Sequence, residues 1–208
     1  MELKDLKEEH YLRLIKAISE IIVKKGPSHT SMDYVASTLN MSKRTLYELF
    51  GSKDDMIRHV LEYNTEKSKQ EVDEIFRSSS NALEAMHKLT NYLAKIHETA
   101  SVDFIRDMDV RCRHLRIDYE SYQGEVVNQL KKVIHLGIMQ GVFRKNIDLD
   151  LQIRVLLVQL ESLKQMEDFF PPEITISQVF IVIGRGFLRN IVSSKGLEML
   201  EQMEATDQ

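Results

Sequence analysis

The chain has 208 residues, of which 43% are hydrophobic and 29% are charged, and its formal net charge is −4. This composition is typical of a folded globular protein and excludes the disordered, collagen-like and low-complexity classes. The longest purely apolar run, Val179 to Ile183, is far shorter than the roughly 18 residues that a membrane span needs, so no membrane partner is expected.

The first residues are charged and predict no secretory signal. Cys112 is the only cysteine, so it forms no internal disulfide, and with His114 it is too sparse for a metal site. We therefore expect a cytoplasmic protein without a cofactor or a bound metal. Residues 1–53 carry 9 Lys and Arg against 7 Asp and Glu, whereas residues 54–208 carry 19 against 25. A weakly basic head on an acidic body suits a protein that contacts a polyanion by one end.

The positions of glycine and proline predict an all-α fold. Neither residue occurs between Gly51 and Gly124, whereas a β-rich chain needs turn residues about every 8–12 positions. Apolar residues recur at three- and four-residue steps, as on amphipathic helices. The predicted helices lie at about 6–25, 31–39, 42–50, 52–76, 82–99, 102–115, 119–141, 148–168 and 174–194. We expect Thr30 or Ser31 to cap the second helix, with Asp33 reaching back to Thr30, and Ser52 to open the fourth.

Residues 32–51 have the pattern of a helix-turn-helix motif. Ala36 is small where the two helices cross, and Asn40 suits the left-handed residue that the turn requires. Ser42 is placed to cap the second helix of the motif. The apolar positions expected to face inward are Val35, Leu39, Met41, Leu46 and Leu49.

The helix that starts after Ser42 has Lys43 and Arg44 in its first turn and no acid there, although helix starts favour acidic residues. A positive helix end with two added cations favours an external anion, and phosphate is the obvious one. Each cation taken singly is more often a solvated surface charge than a DNA contact, so the prediction depends on the spacing of the whole motif. The expected DNA-binding residues are Thr30, Ser31, Ser42, Lys43, Arg44, Thr45, Tyr47 and Lys53.

These residues have different expected roles. Lys43, Arg44 and Thr45 lie at the end of the helix that can reach base edges in the major groove. Tyr47 lies one turn later and can touch phosphate or a thymine methyl group. Lys53, and Thr30 or Ser31, are placed for the DNA backbone.

The last two predicted helices contain segments that are apolar nearly all round, at 155–158 and 179–183. Such helices must be covered on every side, which near the end of this chain favours packing on a second subunit. The alternatives are a well-covered core helix, or a short strand at 179–183. Gly184 and Gly186 can allow two backbones to approach closely, or mark local irregularity. The residues expected at a dimer interface are Val155, Leu156, Val158, Phe180, Ile183 and Phe187.

The middle helices offer candidates for a small-molecule site. Phe104 and Met108 share one stripe, and Arg111 lies near it, where a buried guanidinium could meet an anionic ligand. The alternative is that the arginines of this region pair with its aspartates at the surface. The expected ligand-binding residues are Tyr92, Phe104, Met108, Arg111 and Tyr122.

Three segments, Thr30 to Ala36, Met41 to Tyr47 and Phe50 to Met56, resemble the N-terminal domain of the TetR family of transcriptional regulators. The resemblance implies a DNA-binding domain at 1–52, a helical ligand-binding and dimerisation domain at 53–208, about nine helices, and a homodimer on a palindromic operator. It also implies that a small molecule in the body displaces the long helix at about 53–76 and separates the two heads. Asn40 and Arg44 stand where the family often has glycine, and a long donor at 44 can bind guanine bidentately.

The leading hypothesis is a ligand-responsive transcriptional regulator, in the expected case a repressor, whose partners are double-stranded DNA, a second copy of the chain and a small-molecule effector. A second hypothesis keeps the DNA-binding head without an effector, as in an architectural or cell-division factor. A third is an all-α enzyme or adaptor, but no catalytic triad, metal-binding HExxH pattern or glycine-rich phosphate loop is present in the sequence. We therefore expect no enzymatic activity.

Overall fold

The computed structural model describes residues 3–98, 100–107, 119–165 and 169–206. Across these ranges the regular structure is helical, apart from an isolated antiparallel bridge between Phe143 and Val192. The helices in chain order are α1 (Leu3–Lys25), α2 (Met32–Thr38), α3 (Lys43–Phe50), α4 (Lys53–Ser78), α5 (Ala82–Ile96), α6 (102–107), α7 (Tyr119–Met139), α8 (Leu149–Glu161), α9 (Ile176–Ile191) and α10 (Ser194–Thr206), with a short 3₁₀ turn at Ser162–Gln165 after α8. The predicted all-α class is confirmed, and a strand at 179–183 is excluded because these residues lie within α9.

Helix α10 was not among the predicted helices. Helix α9 ends at Ile191 because Val192 has extended backbone angles, φ −66° and ψ 146°. The chain then restarts a helix, and the Ser193 hydroxyl accepts a hydrogen bond from the Gly196 backbone N–H at 3.0 Å. A break of so few residues between two helices is difficult to recognise from periodicity alone. Helix α8 is also shorter than predicted, since it ends at Glu161.

Contacts between the helices divide the chain into two compact units. Unit 1 contains the described residues of 1–70 and 99–117, and unit 2 contains those of 71–98 and 118–208. Helix α4 contributes its first part to unit 1 and its last part to unit 2. The domain boundary at residues 52 and 53 stays a prediction, because compactness does not report where DNA binding ends. Among the described helices none is both long and apolar enough to cross a lipid bilayer.

The core of unit 1 joins α1, the two helices of the motif and the start of α4. Its buried side chains are Ile15, Ile18, Ile22, Met32, Val35, Ala36, Leu46, Phe50, Met56, Ile57 and Val60. Of the positions predicted to face inward, Val35 and Leu46 are fully buried, and Leu39 packs against the cluster. The prediction for Leu49 is wrong, because its side chain is 46% exposed. Helix α3 turns its apolar stripe at Leu46 and Phe50 inward, which places Leu49 at the edge of that stripe.

Unit 2 is organised around α5, against which α9 packs closely. A Cβ atom on Gly184 would lie 2.4 Å from Cγ2 of Thr90 on α5, so only glycine permits this approach. Gly184 therefore allows close packing within the chain itself. Gly186, by contrast, is exposed, and a Cβ built there would have no atom within 4 Å.

The two helices that are apolar all round are covered on one side only. Three residues that were predicted at a dimer interface are at most 8% exposed: Leu156 and Phe187 lie in the core cluster of unit 2, and Phe180 is buried as well. Ile183 is partly buried against the same core. A side chain covered by its own chain has little surface left for a partner, so these residues are structural. The exposed apolar side chains on the two helices are Leu151, Val155, Val158 and Val182, with exposures of 54%, 45%, 70% and 70%.

Candidate nucleic-acid interface

Helices α2 and α3 form a helix-turn-helix with a short turn. Asn40 has a φ of 52° and is the single non-glycine residue with positive φ in the described part of the chain, as the sequence predicted for this turn. The Met41 backbone N–H donates to the Ala36 carbonyl at 2.9 Å and closes the turn. Ala36 itself is buried where the two helices meet. The turn is therefore defined by local chemistry and by one small side chain.

Serine residues cap both helices of the motif. Ser31 accepts a hydrogen bond from the Tyr34 N–H at 3.1 Å, and Ser42 accepts one from the Thr45 N–H at 3.0 Å. The Ser42 and Thr45 hydroxyls are also hydrogen-bonded to each other at 2.7 Å. Each cap satisfies an otherwise unpaired backbone donor, and replacing such a cap typically costs about 1 kcal/mol. Because these caps form locally, the start of α3 is fixed with its first turn facing solvent.

The first turn of α3 presents exposed polar residues and, as predicted, contains no acid. Ser42, Lys43, Arg44 and Thr45 are all exposed, and Tyr47 follows with 49% of its surface exposed. The Arg44 side chain is 88% exposed. The structure thus brings together on one surface the central group of predicted DNA-binding residues.

Both cations of this surface have acidic partners within the chain. From the sequence, the positive charge at this helix end was expected to be uncompensated, and these partners were not predicted. Lys43 Nζ lies 2.6 Å from Oδ2 of Asp33 on α2, and Arg44 Nε lies 2.8 Å from Oε1 of Glu48 on α3. All four side chains are more than half exposed, and such pairs contribute only about 0–1 kcal/mol. An external anion can therefore replace either acid at small cost.

Asp33 also corrects the predicted capping of α2. Its carboxylate pairs with Lys43, and Ser31 alone supplies the cap. Thr30 is 1% exposed, and its hydroxyl donates to the Gly26 carbonyl at 2.9 Å. The predicted contact between the Thr30 side chain and DNA is therefore wrong, because the hydroxyl is buried and donates its hydrogen bond to the turn after α1. Ser31 remains exposed at the start of α2.

Lys53 occupies the first turn of α4, as predicted, and its Nζ lies 3.5 Å from the Ser28 carbonyl oxygen. Ser52 caps this helix: its hydroxyl accepts from the Asp55 N–H at 3.1 Å and donates to Asp55 Oδ2 at 2.6 Å. That hydrogen bond lowers the pKa of Asp55, and the Arg58 guanidinium beside it acts in the same direction. Ser52 therefore caps the helix as predicted, but the predicted capping box is not closed, because the Ser52 backbone N–H donates to the Phe50 carbonyl at 2.8 Å and not to Asp55.

Aromatic residues support the far end of α3. The Phe50 ring packs edge-on against the His59 ring with centroids 5.6 Å apart, and the Tyr11 hydroxyl is hydrogen-bonded to His59 Nδ1. Burial raises the pKa of Tyr11, and the neighbouring Glu62 raises it further. These contacts join α1 and α4 behind α3, the recognition helix of the motif, so the exposed surface of α3 is presented on a packed support.

Sequence reasoning missed one further group on α2. Lys25 Nζ lies 3.9 Å from the centroid of the Tyr34 ring, and hydrogen bonds from Lys25 and then Thr38 lower the pKa of Tyr34. The contact joins the end of α1 to α2. The two residues lie nine positions apart across a turn, so helical periodicity gave no signal for their contact.

The described residues do not test the predicted small-molecule site, which stays a prediction. Phe104 belongs to unit 1 and packs against its core, whereas Tyr92 belongs to α5 in unit 2. Met108 and Arg111 lie outside the described residues, and the side chains of α7 are described only from Val127 onward, which leaves out Tyr122. The alternative prediction is that the arginines of this region pair with its aspartates. Among the described residues Arg106 does so, since its Nη1 lies 3.6 Å from Asp103 Oδ1.

Comparisons with known proteins agree with this geometry. Residues 14–60, from α1 into α4, match the family described as bacterial regulatory proteins, tetR family. The uncharacterized HTH-type transcriptional regulator YhgD of Bacillus subtilis (strain 168) is 22% identical over 134 residues, which is 63% of this chain and 70% of that protein.

Solved structures show the same fold over most of the chain. The ketosteroid transcriptional regulator KstR2 of Mycobacterium tuberculosis superposes with a TM-score of 0.64 at 22% identity, covering 88% of this chain and 94% of that one. The transcriptional regulator FadR from Bacillus subtilis, in complex with stearoyl-CoA, superposes with a TM-score of 0.56 at 15% identity, covering 86% and 96%. At these identities the superpositions establish the fold alone.

The helix-turn-helix, its exposed recognition helix and the helical second unit define a DNA-binding transcriptional regulator. Residues 14–60 are similar to the N-terminal domain of the TetR family. That family consists of regulators of transcription and not of enzymes.

Proposed function

We propose that this protein is a ligand-responsive transcriptional repressor that acts in the cytoplasm and binds a palindromic operator as a homodimer. In this proposal residues 1–52 bind DNA, and residues 53–208 carry dimerisation and effector binding. The observation that carries it is the exposed first turn of α3, with Ser42, Lys43, Arg44 and Thr45 on one surface.

The DNA contacts follow from the position of each residue on the motif. The N-terminal residues of α3 reach base edges when the helix enters the major groove, so Arg44 and Thr45 are assigned to bases and Lys43 to phosphate or base. Ser42, Ser31 and Tyr47 are exposed around this turn and are assigned to the DNA backbone. Backbone contacts fix the register of the protein on the duplex, and base contacts give it sequence preference.

A second exposed surface supports dimerisation. Leu151, Val155 and Val158 lie at helical spacing on α8, and Val182 and Gly186 lie four residues apart on α9; all five are exposed. An apolar surface of this kind on two neighbouring helices is typical of a protein–protein contact. Gly186 has open space around it, which allows a partner helix to approach closely. Two copies related by a twofold axis would present two recognition helices to a palindrome whose half-sites lie one or more helical turns apart.

Effector binding is supported by the stearoyl-CoA complex of the structurally similar FadR. An effector releases the operator only if it binds the DNA-free conformation more tightly than the DNA-bound one. Helix α4 contributes to both compact units, so a shift of this helix is the proposed route by which an effector changes the spacing of the two heads. Release of DNA on effector binding is the behaviour expected of a repressor of this type.

The test is selection of bound duplexes from a random-sequence pool with the full chain. We expect a palindromic consensus, and we expect affinity to fall by about 10³–10⁵ between 50 and 200 mM salt if about 6–10 phosphates are contacted. A pool of small molecules, including acyl-CoA esters, is then screened for release of the selected duplex. Enrichment of no sequence would contradict operator binding, and enrichment with no release by any compound would favour a regulator without an effector.

A further inference from the structure

Arg44 and Glu48 form an ion pair on the exposed surface of α3. Arg44 Nε donates to Glu48 Oε1 at 2.8 Å, and the two side chains are 88% and 61% exposed. Among the described residues this is the single partner of the Arg44 side chain. The bond uses Nε only, so the two terminal nitrogens of the guanidinium, Nη1 and Nη2, remain available as hydrogen-bond donors.

The charge and position of Glu48 favour neither DNA affinity nor helix stability. A carboxylate near phosphates weakens binding to a polyanion, and within a helix an arginine that precedes a glutamate by four residues is the weaker order for an ion pair. The pair is exposed, so its contribution to folding is small. These costs favour a role in the orientation of Arg44 rather than in stability or general affinity.

The oriented guanidinium has the shape that guanine recognises. Guanine presents two acceptors, O6 and N7, in the major groove, and an arginine fork binds both at once. A long side chain that is free to rotate loses entropy on making two bonds, whereas one already held through Nε loses less. Pairing with Glu48 also lowers the fraction of time that the guanidinium spends at the nearest phosphate, which favours sequence choice over general binding.

We propose that Arg44 and Glu48 act as one unit that reads a guanine in each operator half-site, with Glu48 as the positioning residue that sets the specificity. This inference rests on the proposed binding of DNA by α3. It assigns a role to Glu48, which faces solvent and carries the same negative sign as DNA, so that a simple count of cations on this surface would not include it.

The experiment uses the duplex selected by the full-length wild-type chain. We expect one invariant guanine per half-site, and replacing it with 7-deazaguanine, which lacks the N7 acceptor, should weaken wild-type binding about tenfold. For Arg44→Ala the same replacement should have no further effect. For Glu48→Gln the penalty of the replacement should fall from about tenfold to about threefold or less, while binding to random duplexes is unchanged or slightly stronger.

The control is Glu74→Gln, which removes an equal charge from another exposed ion pair, with Arg77 on α4, in unit 2. It should keep the full tenfold penalty. The midpoint of thermal unfolding should be the same for both variants and the wild type, which separates positioning from folding. If Glu48→Gln keeps the full penalty, or if the selected half-sites lack an invariant guanine, the inference is wrong although operator binding stands. Selection of no sequence overturns both.

Discussion

Lys43 and Asp33 join the start of the recognition helix to the helix before it, with Nζ 2.6 Å from Oδ2. Both side chains are about 60% exposed, at 63% and 60%, so the pair is weak and solvent-screened. Its position matters more than its strength, because the lysine belongs to the surface assigned to DNA. If Lys43 binds a DNA phosphate, as proposed, the aspartate occupies the place of that phosphate in the DNA-free protein.

The first prediction concerns this competition. Asp33→Asn removes the carboxylate that competes with phosphate for Lys43, so no ion pair has to be broken when Lys43 binds DNA. It also removes one negative charge beside the DNA. Binding to all duplexes, selected or random, should tighten about 1.4- to fivefold at 50 mM salt, as expected from the roughly 0.2–1 kcal/mol of an exposed pair. Fluorescence anisotropy measures this directly. Asp73→Asn, an exposed aspartate on α4 in unit 2, is the matched control and should change nothing; equal tightening in both variants would reduce the effect to net charge.

The second prediction concerns Lys53 at the start of α4. If it contacts the DNA backbone, Lys53→Ala should weaken binding to every sequence by a similar factor, and the slope of log affinity against log salt should become shallower by about 1. The measurement is a salt titration on the selected duplex and on a random one. Lys69→Ala removes the same charge 16 residues later, roughly 24 Å along the same helix, and should leave the slope unchanged. A change of sequence preference in Lys53→Ala would contradict the assignment.

The third prediction tests the exposed apolar surface of α8 and α9. Val158 is 70% exposed, and Val158→Lys would place a charge, repeated by symmetry, inside the proposed interface. Self-association should weaken by roughly 100-fold, because an unpaired buried charge costs several kcal/mol. Sedimentation velocity across a concentration series gives the result. Met139→Lys on α7, at a residue 79% exposed, is the control. Dissociation by Met139→Lys, with Val158→Lys still dimeric, would move the interface to α7.

The fourth prediction concerns packing in unit 2. A Cβ atom on Gly196 would lie 2.1 Å from the Val142 carbonyl oxygen, which is backbone and cannot rotate away. Gly196→Ala should therefore lower the free energy of unfolding by about 3 kcal/mol, at the upper end for overpacked sites. Urea unfolding gives the value. Glu198→Ala, on the exposed side of the same helix, should stay within about 0.5 kcal/mol of the wild type. Similar losses in both variants would show that α10 is sensitive to any change.

The fifth prediction concerns pH. The His97 ring stacks on Phe180 with centroids 5.4 Å apart, and Nδ1–H donates to the Leu93 carbonyl at 2.6 Å. Burial lowers the pKa of His97, against a smaller opposing effect of that hydrogen bond. Because the folded pKa lies below the unfolded value of about 6.5, stability from the neutral ring is fully present above pH 6.5 and is lost as pH falls through the folded pKa.

The thermal midpoint of the wild type should therefore drop more steeply below pH 6.5 than that of His97→Phe, which keeps the stacked ring without the titration. His135→Phe is the control, since His135 is exposed and makes a similar Nδ1 contact with the carbonyl four residues before it, that of Lys131. This variant should follow the wild-type curve. Parallel curves for all three proteins would exclude His97 as a source of acid sensitivity.

Features that depend on neighbours within one helical turn were predictable from the sequence. The helices of the head, the caps at Ser31, Ser42 and Ser52, and the left-handed turn at Asn40 all arise from residues three or four positions apart. The absence of an acid in the first turn of α3 is also a local property, and it identified the surface assigned to DNA. The spacing of Arg44 and Glu48 was visible in the sequence as well, although their pairing was not foreseen.

Tertiary structure decided the rest, because burial and long-range pairing depend on which elements meet. Thr30 looked available for DNA until the fold turned its hydroxyl toward Gly26, and Lys43 gained Asp33 as a partner only when α2 and α3 were packed together. An apolar helix likewise does not reveal which of its faces the rest of the chain covers. Phe180 is buried and Val182 is exposed, although they lie two residues apart on one helix. The packing of α9 on its own chain therefore determines which face of the helix is left for the proposed dimer contact.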